Sequence, residues 1–424
     1  MIGSELTRAV FSYLPSEYQM LGLLSFSLGF IFLASVQIEL PESSLIRRLF
    51  VKTWATLRKS PLKTLMIVGV FSRGFVFAVG LAAATFFKER PCRHCWNNGI
   101  PFINLFSRWD SGYYVNIALR GYSNLIVPRW EFFPGYPIVM GSLGRVLTLA
   151  TGTPLVISMY WMGFVVSNLS FFGSMYYLYK LSAKVLGDNN LAFYSALSLA
   201  FYPAGVFLSA AYSDSLFLLL MLSSLYYWRM KKYPQCSLLG FFGALTRPVG
   251  VVLVIPYLVE LIRDRSLRKN VSAYLPVAIV PFGFLSFLAY SQLMTGTPFA
   301  TFEAGRLYWQ IAPDLPRIIG SAYSTLVGNP IIVPYIAIAI GGMVTSILSP
   351  RSRTKTAIHA YALVLLATYL YAPLISFPRY SITLVPAYWG YARWSQRARS
   401  LVFAIFLVLL AIGVALFVNW YRFY

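Results

Sequence analysis

Long apolar runs carrying little charge recur along the whole chain, and they limit its possible folds more than any other feature. The sequence of 424 residues is 58% hydrophobic and only 11% charged, where soluble domains carry about a quarter. Many of the runs are roughly 17–25 residues long, enough to cross about 30 Å of hydrocarbon as a helix. In lipid every backbone group must be satisfied internally, which leaves helices or a closed barrel. Stretches such as 65–87 and 401–418 lack the in-and-out alternation of barrel strands. The expected fold is therefore an all-α polytopic membrane protein.

About twelve crossings are expected, near 20–38, 64–87, 155–179, 190–208, 214–229, 235–247, 249–262, 271–293, 326–348, 356–375, 381–392 and 401–420. The segments around Pro203, Pro248, Pro256 and Pro386 are expected as half-helices or kinked spans, which a membrane tolerates where they line a cavity. No internal repeat is evident, which disfavours an inverted-repeat transporter. Residues 1–63 are expected to form an N-terminal span with a basic cytoplasmic loop, and 64–424 the main transmembrane domain. No basic n-region or small-residue cleavage site marks a signal peptide.

The net charge of +22 suggests nucleic acid until the charges are located. Arg47, Arg48, Lys52, Arg58, Lys59 and Lys63 form one cluster; Arg229, Lys231 and Lys232 a second; Arg263, Arg265, Arg268 and Lys269 a third. Arg351, Arg353 and Lys355, then Arg393, Arg397 and Arg399, complete the series. Each occupies a short loop at every second crossing, with about 21 basic residues on one side against about 13 on the other. The charge reports topology and contact with anionic lipid headgroups, and no nucleic-acid partner is expected. Three cysteines cannot build a disulfide framework. Cys92, His94 and Cys95 lack the second Cys/His pair of a tetrahedral site, so no metal is expected.

Two long segments, about 88–154 and 294–323, fall on the face opposite the basic clusters and exceed what a connection needs. The first contains Phe106-Ser-Arg-Trp-Asp-Ser-Gly-Tyr-Tyr114, then Ile117-Ala118, Gly121-Tyr122 and Phe132-Phe-Pro-Gly-Tyr-Pro137. Trp109, Tyr113, Tyr114, Ile117, Ala118 and Tyr122 recur at helical spacing, which predicts an amphipathic helix in the interface. Asp110 is the only carboxylate between Glu89 and Glu131. The second segment carries Glu303, Arg306, Asp314 and Arg317. Asp214, Arg247 and Arg379 also lie at turns on this face, so two acids and two arginines are predicted to converge there. Ionisable groups near a bilayer are costly and mark functional sites, although snorkelling or structural ion pairing is the plain alternative. Arginine suits a phosphate, since its planar fork binds two oxygens together. A carboxylate screened by aromatics suits a general base.

At these residues the chain resembles the PIG-V family, which contains the second mannosyltransferase of GPI-anchor assembly and belongs to the GT-C class of glycosyltransferases. The likeness rests on Arg108-Trp109-Asp110, Ile117-Ala118, Gly121-Tyr122 and the Phe132–Pro137 block. Tyr202-Pro203-Ala204 with Tyr212-Ser-Asp-Ser-Leu-Phe217, Ala244-Leu-Thr-Arg247 with Gly250, and Arg379 with Pro386 follow in order. The resemblance implies a GT-C fold, with Asp110 as catalytic base. It also implies a dolichyl- or polyprenyl-phosphate mannose donor, a lipid-linked glycan or glycolipid acceptor, and no metal or other cofactor. Arg108, Trp109, Tyr113, Tyr114, Asp214, Arg247 and Arg379 are the expected substrate-binding residues. Gly112 and Tyr113 stand where the family often has an acid and a histidine, as do Leu119 and Arg120 before Gly-Tyr. A GPI precursor is therefore not assumed as acceptor. The expected reaction is an inverting transfer giving an alpha-mannoside on the extracytoplasmic or lumenal side. Its rivals are a GT-C transferase of another sugar, a polytopic secondary transporter, and a flippase-like or scaffold protein.

Overall fold

The computed structural model describes residues 60–91, 99–309, 311, 314–349, 353–369, 372–421 and 423. The expected span at 20–38, most of the first basic cluster, and Cys92, His94 and Cys95 lie outside them. The described residues form helices joined by turns, with no strand among them. In chain order these are α1 (Pro61–Phe86), α2 (Pro101–Leu105), α3 (Ser111–Arg120), α4 (Gly135–Thr151), α5 (Leu155–Leu186) and α6 (Asn189–Ala200). Next come α7 (Ser213–Arg229), α8 (Tyr233–Thr246), α9 (Val254–Arg263), α10 (Arg265–Arg268), α11 (Leu275–Thr295) and α12 (Ala300–Tyr308). The series closes with α13 (Leu315–Gly328), α14 (Val333–Leu348), α15 (Arg353–Tyr369), α16 (Phe377–Tyr380), α17 (Val385–Arg393) and α18 (Gln396–Val418).

Five helical stretches are long and apolar enough to cross a bilayer: Pro61–Phe86, Leu155–Leu186, Val271–Thr295, Pro330–Leu348 and Gln396–Val418. They coincide with five of the expected crossings and make this an integral membrane protein. The count of twelve is not confirmed, because the other described runs are shorter or broken. The run at 190–208 stops at Ala200 and continues as a turn and a 3-10 segment, Gly205–Leu208, around Pro203. That at 249–262 divides into a 3-10 segment, Pro248–Leu253, and α9. That at 381–392 divides into Ser381–Thr383 and α17. Proline lacks the N–H that continues a helix.

The expected loop at 88–154 is mostly helical, being built from α2, α3, a 3-10 turn (Pro128–Glu131) and α4. Helix α3 differs from its expected setting. Its Tyr114, Val115, Ile117 and Ala118 are buried, and it packs on α4 and α5, so protein covers its apolar face where lipid was expected. Amphipathic spacing identifies a buried stripe without saying what buries it.

Close helix contacts use small residues, as expected where lipid tails compete for apolar surface. At the α14–α17 crossing a Cβ added to Gly390 would fall 1.9 Å from the Gly342 carbonyl oxygen. The one arginine inside α1, Arg73, bonds through its two terminal nitrogens. It donates to the Gly205 carbonyl and the Ser209 hydroxyl, each at 2.9 Å, and its guanidinium lies 4.0 Å from the Phe171 ring centre. It ties α1 to the 3-10 segment leading into α7.

Candidate active site

The site is assembled where four chain breaks meet. Asp110 occupies the N-cap position of α3, directly after Trp109, whose φ of 55° lies in the left-handed region. A bulky side chain there costs about 1–3 kcal/mol and persists only when its surroundings enforce it. Tyr212 provides that enforcement. Its buried hydroxyl accepts from the Asp110 N–H at 3.0 Å and donates to the Arg108 carbonyl at 3.3 Å. The Ala211 N–H donates to the Phe106 carbonyl at 2.8 Å, and the Tyr114 and Ser213 hydroxyls bond at 2.8 Å. The segment entering α7 thus clamps both sides of Asp110.

Asp214 lies in the first turn of α7, where a helix N-terminus favours an anion. Arg247 follows the last residue of α8, where a helix C-terminus favours a cation and Pro248 prevents continuation. Arg379 is carried by the short α16. Its Nε donates to Asp214 Oδ2 at 2.9 Å and its Nη1 to Asp110 Oδ2 at 2.6 Å. Arg247 Nη1 donates to Asp214 Oδ1. The result is a buried chain, Arg247–Asp214–Arg379–Asp110, whose formal charges cancel. Burial alone would lower the Arg379 guanidinium, but Asp214 and then Asp110 outweigh it and raise it well above its ordinary value. Arg379 also rests 4.6 Å from the Tyr212 ring centre, so Tyr212 supports acid and base together.

A cavity of about 670 Å³ opens onto this chain, within the range of small-molecule sites. Asp110, Tyr114, Arg247 and Arg379 line it. Asp214 lies behind, holding the two arginines. The remaining expected residues have other contacts. Arg108 pairs with Glu89 at 3.0 Å and lies over Trp420. The Trp109 ring packs against Trp420 at 5.2 Å, and Tyr113 stacks on Phe132 at 5.0 Å. None of these three lines the cavity. In their place the wall holds Glu131, and Glu303, Arg306 and Trp309 from α12 and its C-cap. Glu131 bounds the sequence motif beginning at Phe132, yet only the packing of α12 on the Pro128–Glu131 turn shows that it faces the cavity. Apolar side chains supply much of the remaining lining, Val249, Val251, Val252, Phe284 and Phe302 among them.

The clamp can be tested by itself. Tyr212→Phe leaves the ring in place but removes the acceptor from a part-buried N–H, a loss of about 1 kcal/mol. A lower melting temperature with reduced turnover is expected. An unchanged melting curve and rate would show that the hydroxyl does not hold the loop.

Comparison with known proteins agrees with the arrangement of motifs. A family model described as Mannosyltransferase (PIG-V) matches residues 94–324. GPI mannosyltransferase 2 of Yarrowia lipolytica is 25% identical over 66% of this chain and 82% of its own length. GPI alpha-1,6-mannosyltransferase 2 of Cricetulus griseus is 31% identical over 46% of this chain, and the human protein of that name 33% identical over 35%. The match spans 39% of the hamster protein and 30% of the human one. Among solved structures, ArnT from Cupriavidus metallidurans bound to undecaprenyl phosphate gives a TM-score of 0.48 at 15% identity, covering 80% of this chain and 62% of that one. The Archaeoglobus fulgidus oligosaccharyltransferase gives 0.44 at 10%, covering 83% and 55%. With more than half of its sequence matched by the family model, the chain belongs to the PIG-V mannosyltransferase family.

Proposed function

We propose that the protein is an inverting mannosyltransferase of the GT-C class, moving mannose from a polyprenyl- or dolichyl-phosphate donor to a hydroxyl of a lipid-linked glycan or glycolipid. The observation that carries this is Asp110 on the cavity wall, fixed through Oδ2 by Arg379. Among the described residues no group bonds its Oδ1, which is left to meet a substrate. The acceptor hydroxyl approaches C1 of the lipid-linked mannose and gives its proton to Asp110. Its oxygen forms the new C1–O bond as the C1–O bond to phosphate breaks, and that electron pair leaves on the phosphate. A single displacement inverts C1, so a beta-linked donor yields an alpha-mannoside. The step uses no resident cofactor.

The leaving phosphate needs cations aimed at its developing charge. Arg247 and Arg379 face the cavity but are already bonded to Asp214 and Asp110. Arg306 lines the same space, and no carboxylate among the described residues pairs with it. We therefore assign the phosphate first to Arg306, with the buried arginines behind it. The apolar part of the lining, with Val249, Val252, Phe284 and Phe302, suits the first isoprene units. Catalysis on the extracytoplasmic face is supported by the basic clusters at the opposite ends of the spans.

The decisive experiment uses the protein in sealed proteoliposomes with radiolabelled polyprenyl-phosphate mannose and a membrane lipid extract supplying the acceptor. Transfer of label to an alpha-mannosidase-sensitive product is expected; uptake without transfer would replace this reading with transport. Arg306→Ala should raise the donor KM by about ten- to hundredfold, as expected for losing a charge-assisted hydrogen bond. An unaltered donor KM would remove Arg306 from the phosphate site.

A further inference from the structure

We propose that Glu131 donates a hydrogen bond, through its carboxyl O–H, to a sugar hydroxyl held beside Asp110, making it a specificity-determining residue of the transfer site. This rests on the function proposed above.

Glu131 ends the Pro128–Glu131 turn and lines the same cavity as Asp110. Its side chain is pressed against α12: a Cβ added to Gly305 would fall 2.6 Å from Glu131 Oε2. Glycine at 305 thus makes the room this carboxyl occupies. Among the described residues, no hydrogen bond or ion pair engages it. A carboxylate in that position would be unpaired in a mostly apolar pocket, which proteins avoid by binding a proton. Burial, and secondarily the Asp110 carboxylate, push Glu131 up to about 8. Its charged and titratable neighbours around the cavity include Asp110, Tyr114, Arg247, Tyr369, Arg379 and Tyr380. Glu303 and Arg306 come from α12. The arginines nearest Asp110 are already neutralised by carboxylates, so they do little to favour ionisation of Glu131. A neutral acid can donate to an oxygen, whereas an ionised one beside Asp110 only accepts and repels an anionic donor.

The sign of the pH dependence follows. A carboxyl raised to about 8 is protonated below that pH and loses its proton above it. Transfer should therefore decline on the alkaline side as the O–H disappears. Glutamine keeps a donor at every pH, so Glu131→Gln should retain at least a third of wild-type turnover at pH 7 and lose the alkaline decline. Glu131→Ala should lose tenfold or more at pH 7. A raised donor KM in that variant would place the hydroxyl on the donor mannose; a reduced kcat at constant donor KM would place it on the acceptor.

Two results would overturn the assignment in an otherwise active protein. One is an alkaline decline persisting in Glu131→Gln; the other is Glu131→Gln inactive at all pH values while eluting and melting like wild type, which would require the ionised form. Wild-type protein that transfers no mannose at any pH would instead overturn the function on which the assignment rests.

Discussion

Asp110→Asn is expected to reduce mannose transfer by about 10²–10⁴-fold, the usual loss when a positioned base is removed, without unfolding the protein. The amide matches the carboxylate in shape and can still accept from Arg379 through its oxygen. The backbone N–H at 110 keeps its bond to Tyr212, so the strained geometry at Trp109 is retained. What disappears is the capacity to take a proton from the attacking hydroxyl. Donor KM should change much less than kcat, because the phosphate is assigned to other residues. The measurement is initial transfer rate in nanodiscs, with gel filtration and thermal melting as controls for folding. A variant that turns over like wild type would show that Asp110 is not the base, and Glu131, another carboxyl on the cavity wall, would become the first candidate.

The helical class of this fold is legible from composition, because apolar runs in lipid admit few structures. The convergence of Asp110, Asp214, Arg247 and Arg379 is legible as well. Each stands at a turn on one face, and the structure links all four by direct bonds. Their division of labour is less visible. Asp214 reads in sequence as a substrate residue, but it lies behind both arginines, a relation set by how α7, α8 and α16 pack. Trp109 and Tyr113 read as substrate-binding residues, yet the left-handed φ at 109 and the stack on Phe132 direct them into protein contacts. Glu131 and Arg306 reach one cavity from segments about 175 residues apart; their convergence is tertiary and no local periodicity encodes it. The number of crossings is not confirmed for a related reason. Hydropathy counts an apolar run whether it forms one span or two short helices around a proline.

Arg379→Ala should have the largest effect on stability, because this side chain is the only link between Asp110 and Asp214 in the buried chain. Arg379 is 7% exposed, Asp214 2% and Asp110 15%. Removing one partner of a buried pair costs about 3–5 kcal/mol, mainly because the other charge is left without compensation. Here the loss is divided unequally. Asp214 keeps Arg247, whereas Asp110 has no second cation among the described residues and would have to swing or take up a proton. Transfer should therefore fall along with melting temperature, and the loss in kcat should approach that of Asp110→Asn. Arg379→Lys separates charge from geometry. A lysine supplies one compact ammonium where the guanidinium bonds the two acids through different nitrogens, so it should recover part of the stability and little of the turnover. Combining Arg379→Ala with Asp110→Asn provides the sharper measurement. If the arginine acts by holding the aspartate, the double variant should lose little more activity than Asp110→Asn and should melt higher than Arg379→Ala, since no unpaired carboxylate remains at position 110. Activity losses that multiply in the double variant would show instead that Arg379 meets the substrate independently of Asp110.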